Sequence, residues 1–226
     1  MGAALRTMYP PMPESPTGAF HDHAPPRWPM VVVTPVNLLC DRGSAEFHPT
    51  VRQAAQLLID ADIPIILVAR SVVREPEYIQ RELGVVHPYL SNGGATLHIP
   101  YGYFGGGYAG PGADWEMMTF VARDPGVEPP SGVQFLLQTY RIHRSDIVTV
   151  GFGVTSSDRF VLEHVEVPVL VRNRHFDQRP LRKTFPDAFM TTLEGPLGWS
   201  EAILGGLAYE ADETGMMAMR EPVMPR

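Results

Sequence analysis

The side chains best suited to binding a ligand in this chain are neutral polar groups accompanied by one carboxylate and one arginine. They are Asn37, Arg70, Asn92, Thr155 and Asp158. Arg70 carries a permanent charge, and a helix that begins near Asp158 would direct its positive dipole end at the same place, so this set predicts binding of a small anion. The alternative is structural: Asp158 caps that helix, and Arg70 pairs with Asp158 or with Glu75.

Hydrophobic patterning predicts the elements that position these side chains. Runs of β-branched residues without alternation of apolar and polar positions predict buried strands, and apolar residues at helical spacing predict helices. The predicted strands are 30–34, 63–68, 147–150, 167–171 and 188–192, with two short extended pieces over 89–99 around Asn92-Gly93-Gly94, and the predicted helices are 49–62, 76–83, 133–143, 158–165 and 199–209. Strands that alternate with helices predict an α/β fold with a doubly wound parallel sheet and ligand sites at the carboxyl ends of its strands.

Composition narrows the classes of partner. The 226 residues include 44% hydrophobic and 19% charged residues and carry a formal net charge of −7, which predicts a folded core and makes nucleic acid an unlikely partner. The one cysteine excludes an internal disulfide, and no apolar run approaches the roughly 20 residues that span a bilayer. With no recognisable signal segment, we expect a cytoplasmic protein.

Six separated stretches, taken in order, resemble the haloacid dehalogenase (HAD) superfamily of phosphatases, and most closely its mannosyl-3-phosphoglycerate phosphatase branch. The stretches are IILV followed by Arg70-Ser71, SNGGAT at 91–96, IPYGYF at 99–104, TVGFG at 149–153, VPVLV at 167–171 and GPLGWSEA at 195–202. The resemblance covers residues 30–207 and implies a HAD-like Rossmannoid core.

The resemblance also implies a phosphoaspartyl mechanism, and the positions that would carry it are degenerate in this chain. They are Pro35 in the place of the nucleophile, Asn37 in the place of the acid, Ala69 in the place of the hydroxyl residue, Ser131 in the place of the lysine and Val154 in the metal loop. A one-residue gap could bring Ser71 to the place of Ala69. Asp158 alone survives of the acidic set, so we expect no phosphatase activity, no Mg²⁺ site and no cofactor.

The resemblance implies a substantial cap domain, which this chain lacks room for. We predict a proline-rich arm at 1–29, which holds seven of the 23 prolines, a HAD-like domain at 30–210 with a cap remnant at about 102–130, and a flexible methionine-rich tail at 211–226. The remnant contains a compact apolar set that either packs on the sheet edge or meets a partner: Trp115, Met117, Met118 and Phe120. We therefore expect a homo- or hetero-oligomer.

Two hypotheses for the function follow. In the favoured one, the chain is a catalytically degenerate pseudophosphatase that acts as a binding, regulatory or assembly subunit. In the other, the old pocket has become a metal-independent enzyme, for example in a biosynthetic pathway, that acts on a small anionic substrate. A new mechanism should leave several convergent titratable groups, whereas one carboxylate with loosely placed neighbours is visible.

Overall fold

A computed structural model of the chain describes residues 30–40, 47–70, 75–104, 115–119 and 131–206. Eight strands form one sheet within these residues: β1 (Met30–Pro35), β2 (Ile65–Val68), β3 (Tyr89–Ser91), β4 (Thr96–Pro100), β5 (Trp115–Thr119), β6 (Val148–Gly153), β7 (Val167–Arg172) and β8 (Phe189–Glu194). Their order is β5-β4-β3-β2-β1-β6-β7-β8. Neighbouring strands from β3 across to β8 are parallel, so their carboxyl ends share one edge of the sheet.

Six α-helices connect or flank these strands. They are α1 (Pro49–Asp60), α2 (Glu75–Leu83), α3 (Gly132–His143), α4 (Arg159–Leu162), α5 (Arg179–Thr184) and α6 (Gly195–Glu201). Short 3₁₀ turns follow β1, β3 and β6 at 36–38, 92–94 and 156–158. Turns at the carboxyl ends of the strands are where this architecture places binding residues.

The core lies on both faces of the sheet because the central strands are buried on both sides. All six residues of β1 are buried, which explains its unalternated sequence. Alternate β1 residues belong to different clusters: Met30 and Val32 pack with α1 and α6, whereas Val31 and Val33 pack with α3. The predicted doubly wound α/β fold is therefore confirmed.

Element boundaries depart from the sequence prediction in the second half of the chain. The helix predicted over 158–165 is only α4, preceded by the 3₁₀ turn, and Gly151 and Gly153 leave room for Val165 and Leu162 to pack closely on β6. The helix predicted from 199 begins at Gly195, and the end predicted near 209 lies outside the described residues. Helix α5 was not predicted from the sequence.

The β3 to β5 region is the antiparallel part of the sheet. Strand β4 pairs antiparallel with both β3 and β5, so the two extended pieces predicted over 89–99 form a hairpin at this edge of a mostly parallel sheet. A tight turn makes the reversal possible, since Asn92, Gly93 and Gly94 all adopt positive φ, at 53°, 63° and 91°. The pairing with β4 makes 115–119 an edge strand of the main sheet.

Close contacts restrict which residues helix α6, with the sequence GPLGWSE, can contain. A Cβ on Gly198 would stand against the Leu193 carbonyl oxygen, with Val171 Cγ1 at 2.9 Å. At the end of the helix, the Glu201 carboxylate accepts hydrogen bonds from the backbone N–H groups of Thr192 and Leu193, at 3.0 and 2.7 Å. Helix α6 is thus fixed against β8 by a close backbone approach and a carboxylate that occupies edge-strand donors.

We predict that Gly198→Ala destabilises the fold by about 1–3 kcal/mol, since the added methyl group meets a carbonyl that cannot move without disturbing β8. Gly205→Ala is the matched control, because nothing lies within 4 Å of its Cβ position. Urea denaturation of both variants measures the difference. Equal free energies of unfolding for the two variants would contradict the close packing of α6.

Candidate functional site

The candidate site lies at the carboxyl end of β1, between β2 and β6. Pro35 is level with Val68 in the β1–β2 register, and continuing the β1–β6 register places Gly153 level with Pro35 as well. Arg70 and Thr155 each lie two residues beyond that level. They therefore meet above the end of β1, although two strand spacings, about 10 Å, separate β2 from β6.

Arg70 makes two contacts across this gap. Its Nη2 donates to Thr155 Oγ1 at 2.7 Å and to Asp158 Oδ1 at 3.1 Å. The Asp158 side chain is 3% exposed, while that of Arg70 is 51% exposed. The guanidinium thus neutralises a buried carboxylate and keeps part of its surface accessible to solvent.

The turn after β6 is built around Asp158. Its second oxygen, Oδ2, accepts hydrogen bonds from the backbone N–H groups of Val154 and Thr155, both at 2.9 Å, and from Thr155 Oγ1 at 3.2 Å. Together with Thr155, Asp158 forms a capping box for the 3₁₀ turn at 156–158. The structural alternative raised from the sequence is therefore present: Asp158 is a capping residue, and Arg70 pairs with it.

Asn92 lies close to this group but directs its side chain elsewhere. Its Nδ2 donates to Thr96 Oγ1 at 3.1 Å. The turn that carries it reaches the Asp158 region, because a Cβ on Gly94 would be 2.6 Å from the Phe160 ring, and Gly93 N donates to the Ala69 carbonyl at 3.0 Å. The structure thus brings Arg70, Thr155 and Asp158 into direct contact, and the turn that carries Asn92 contacts Ala69 and lies close to Phe160.

The positions identified as degenerate have structural roles. Pro35 ends β1, and the exposed Asn37 lies in the turn that follows. Ala69 and Val154 are buried apolar residues. Ser131 caps α3, with its hydroxyl accepting a hydrogen bond from Gln134 N at 3.4 Å. The residue in the place of the lysine is therefore a helix cap.

The donor set does not fit Mg²⁺. This ion needs several oxygen ligands in octahedral geometry, whereas both Asp158 oxygens already accept hydrogen bonds, Val154 contributes no ligand and Arg70 adds positive charge. Among the described residues, no group of three or more His, Cys, Asp or Glu side chains could hold a metal ion. The carboxylate that the HAD resemblance assigns to metal binding is used here to hold a loop.

The predicted interface set lies on β5 and beyond it. Met117 is 67% exposed, and Met118 packs partly buried against the α3 side of the core. The side chain of Trp115 and all of Phe120 lie outside the described residues. The structure thus shows one of the four residues exposed at a sheet edge, and their contact with a partner stays a prediction.

Sequence reasoning missed a polar cluster between β3, β4 and α2. Ser91 Oγ lies 2.9 Å from His98 Nε2, His98 stacks on Tyr89 with ring centroids 4.2 Å apart, and the Tyr89 hydroxyl donates to Glu77 at 2.8 Å. Alternation along the β3–β4 hairpin could have revealed it, since Tyr89, Ser91 and His98 share one face. Because Ser91 is 3% exposed, its hydroxyl stabilises the hairpin rather than facing a ligand.

A second missed cluster joins His87, Tyr103 and Tyr140. The Tyr140 hydroxyl donates to that of Tyr103 at 3.0 Å, and His87 Nδ1 lies 3.0 Å from the same oxygen. Desolvation of the ring lowers the pKa of His87 to about 4, and burial raises the pKa of Tyr140 well above its ordinary value. These groups are neutral at pH 7 and hold the turn after β4 against α3.

Comparison with known proteins supports the fold and nothing finer. No protein-family model and no curated protein matches the chain. Thermoplasma acidophilum 0175 is similar in structure, with a TM-score of 0.50 at 10% identity over 77% of this chain and 96% of that chain. A hypothetical protein from Geobacillus kaustophilus HTA426 also has a TM-score of 0.50, at 12% identity over 77% of this chain and 98% of that chain.

A looser likeness is to the cobalt-bound deoxy-D-mannose-octulosonate 8-phosphate phosphatase of Haemophilus influenzae, with a TM-score of 0.45 and 15% identity over 77% of this chain and 86% of that chain. Likenesses at such identities concern the fold alone. The eight-stranded, mostly parallel sheet with helices on both faces has a Rossmann-like α/β fold, as the sequence predicted. Among the described helices, none is long and apolar enough to cross a membrane.

We predict a ranking of stability losses around the ion pair. Asp158→Ala should cost about 3 kcal/mol, because it leaves two backbone N–H groups and Arg70 without their acceptor. Arg70→Gln should cost about 1 kcal/mol, since Arg70 is half exposed and Asp158 keeps its other donors. The control is Arg159→Gln, which removes an exposed pair with Glu163, and it should cost less than about 0.5 kcal/mol. If urea denaturation shows that Asp158→Ala loses no more free energy of unfolding than this control, the role assigned to Asp158 is wrong.

We also predict that His87 makes the fold acid-sensitive. Its pKa is about 4 in the folded chain against an ordinary 6.5, so between these values the unfolded chain binds more protons, and stability falls as the pH drops. The slope is at most about 1.4 kcal/mol per pH unit, and His87 retains enough exposure to reduce it. Chemical denaturation at pH 7 and pH 4.5 should show that His87→Gln loses less free energy of unfolding between these two pH values than the natural chain does.

Tyr103→Phe is the matched control for the pH experiment. It removes the hydroxyl that His87 contacts but keeps the ring that desolvates it, and desolvation is the cause of the lowered pKa. The acid loss should therefore persist in Tyr103→Phe. An unchanged pH slope in His87→Gln would rule out His87 as its source.

Proposed function

We propose that this chain is a catalytically degenerate HAD-like protein that acts as a binding, regulatory or assembly subunit. The observation that carries the proposal is the state of the Asp158 carboxylate: it is buried, accepts hydrogen bonds from four donors and is paired with Arg70. A carboxylate held in this way is neither a nucleophile nor an available metal ligand.

The position of Pro35 supports the same conclusion. Pro35 is the last residue of β1, and the Arg70 side chain passes over this end of the strand. The HAD resemblance puts the attacking carboxylate at the position of Pro35. Proline has no side-chain group that can attack phosphorus. Asn37, two residues later, lacks the ionisable proton that a general acid donates.

Binding remains within the chemistry of the site. The exposed half of Arg70, next to the Thr155 and Ser157 hydroxyls, which lie 2.7 Å apart, can contact a small anion without any metal. Assembly has a separate candidate surface at β5, where Met117 is exposed at the sheet edge. The mannosyl-3-phosphoglycerate phosphatase branch is the proposed origin of the chain.

We expect no Mg²⁺-dependent hydrolysis of p-nitrophenyl phosphate or of mannosyl-3-phosphoglycerate. The measurement is phosphate release with Mg²⁺, compared with heat-inactivated protein and with added chelator. The double variant Pro35→Asp/Asn37→Asp should release no phosphate either, because Val154 still supplies no carboxylate and Arg70 still occupies Asp158. Chelator-sensitive turnover by the natural chain above the inactivated control would overturn the proposal.

A further inference from the structure

Positive charge is concentrated in one stretch of this acidic chain. Residues 172–183, here called the basic segment, read RNRHFDQRPLRK and contain five of the 18 Lys and Arg residues but only one of the 25 acidic ones. The segment therefore has a net charge of +4, and the remainder of the chain has a net charge of −11. Such segregation creates a local positive potential on an otherwise negative molecule.

The basic charges face solvent. All five Lys and Arg residues of the segment are exposed. Arg174 pairs with Glu194 at 2.8 Å and Arg179 pairs with Asp177 at 2.9 Å, each with its own side chain more than 70% exposed. No carboxylate within the described part of the chain forms an ion pair with the other three, which are Arg172, Arg182 and Lys183.

The backbone of the segment is held firmly in place. The buried side chain of Gln178 donates to the carbonyls of Val171 and Val154, at 2.8 and 2.9 Å, and accepts from Asn173 N at 3.2 Å. Leu181 is buried against Leu162 and Leu170. The charges are thus presented from a fixed surface, which lowers the entropic cost of binding a partner.

The surface also has an apolar component. Phe176, within the segment, is 41% exposed. An exposed aromatic group among arginines is typical of surfaces that bind proteins. Any long polyanion, whether nucleic acid or acidic peptide, would meet repulsion from the −11 of the remaining chain as soon as it extended beyond the segment, so a short acidic cluster fits this surface best.

We propose that the basic segment is a docking surface for a protein partner that presents clustered Asp and Glu side chains. Arg172, Arg182 and Lys183 supply the charges that such carboxylates would pair with, and Phe176 supplies the apolar contact. The inference rests on the binding role proposed above and names the chemistry of the partner. It does not involve Arg70 or Asp158.

The test is fluorescence anisotropy with the full chain and a labelled eight-residue oligo-L-glutamate peptide at low ionic strength. Replacing all three unpaired cations, as Arg172→Ala/Arg182→Ala/Lys183→Ala, should weaken binding about tenfold or more, since each exposed pair contributes a modest amount. Binding to the natural chain should also weaken as salt is added, because salt screens exposed charges.

The matched control is Arg52→Ala/Arg81→Ala/Arg144→Ala, which changes the net charge by the same amount at positions outside the segment. It should change the affinity less than twofold. Equal losses in the two triple variants, or the absence of salt-sensitive peptide binding by the natural chain, would overturn the proposal. Thermal unfolding by circular dichroism checks that both variants are folded.

An eight-nucleotide oligothymidylate of similar charge distinguishes a protein partner from nucleic acid. We expect it to bind more weakly than the peptide, and tighter binding through the same three residues would overturn the proposal in favour of nucleic acid. The result is separable from the proposed function: phosphatase turnover would refute the degenerate-subunit reading without affecting peptide binding. If the peptide fails to bind and no phosphatase turnover is seen, only the proposal of an acidic partner is refuted, and the proposed function stands.

Discussion

A buried carboxylate must be compensated, and the compensation of Asp158 organises the carboxyl edge of this sheet. Taking an ionised carboxyl group out of water costs several kcal/mol unless donors replace the lost hydration. Here two backbone N–H groups, one hydroxyl and one guanidinium do so. The backbone donors require the turn at 154–158 to adopt one conformation, and the guanidinium requires the chain after β2 to reach across β1. One charge therefore constrains three neighbouring strands.

The same compensation changes what the edge can do chemically. A divalent ion would neutralise Asp158 while keeping coordination positions open for water or a phosphate oxygen. A guanidinium neutralises it with fixed N–H groups and offers no exchangeable position. The guanidinium therefore balances the charge of Asp158, but these residues supply no Lewis acid. The exposed half of Arg70 can still attract a negative group.

The sequence was informative where one physical effect dominates. Strands β1, β2, β6 and β7 are buried on both faces, so their aliphatic runs admit few other structures. The sequence also raised the pairing of Arg70 with Asp158 as one of two structural alternatives, and the structure contains that pair.

Elements were missed where tertiary contacts override local pattern. Helix α5 contains Arg179, Pro180, Arg182 and Lys183, and only Leu181 is buried, so it has no apolar face to detect. Strand β5 follows a glycine-rich stretch and acquires its conformation from pairing with β4. Asp158 illustrates the limit for the site: its spacing is compatible with both a cap and a ligand, and only the positions of Arg70 and two N–H groups decide between them.

Val154 links the two charged features of this edge. Its N–H donates to Asp158 and its carbonyl accepts from Gln178, so one residue is shared by the ion-pair turn and by the anchor of the basic segment. An aspartate at this position would place a second carboxylate beside Asp158, where like charges repel at short range. A buried valine avoids that repulsion and fills the core. Because both contacts are made by its backbone, residue 154 joins the ion-pair turn to the anchor of the basic segment, and its valine side chain adds a buried apolar group that places no second charge beside the Arg70–Asp158 pair.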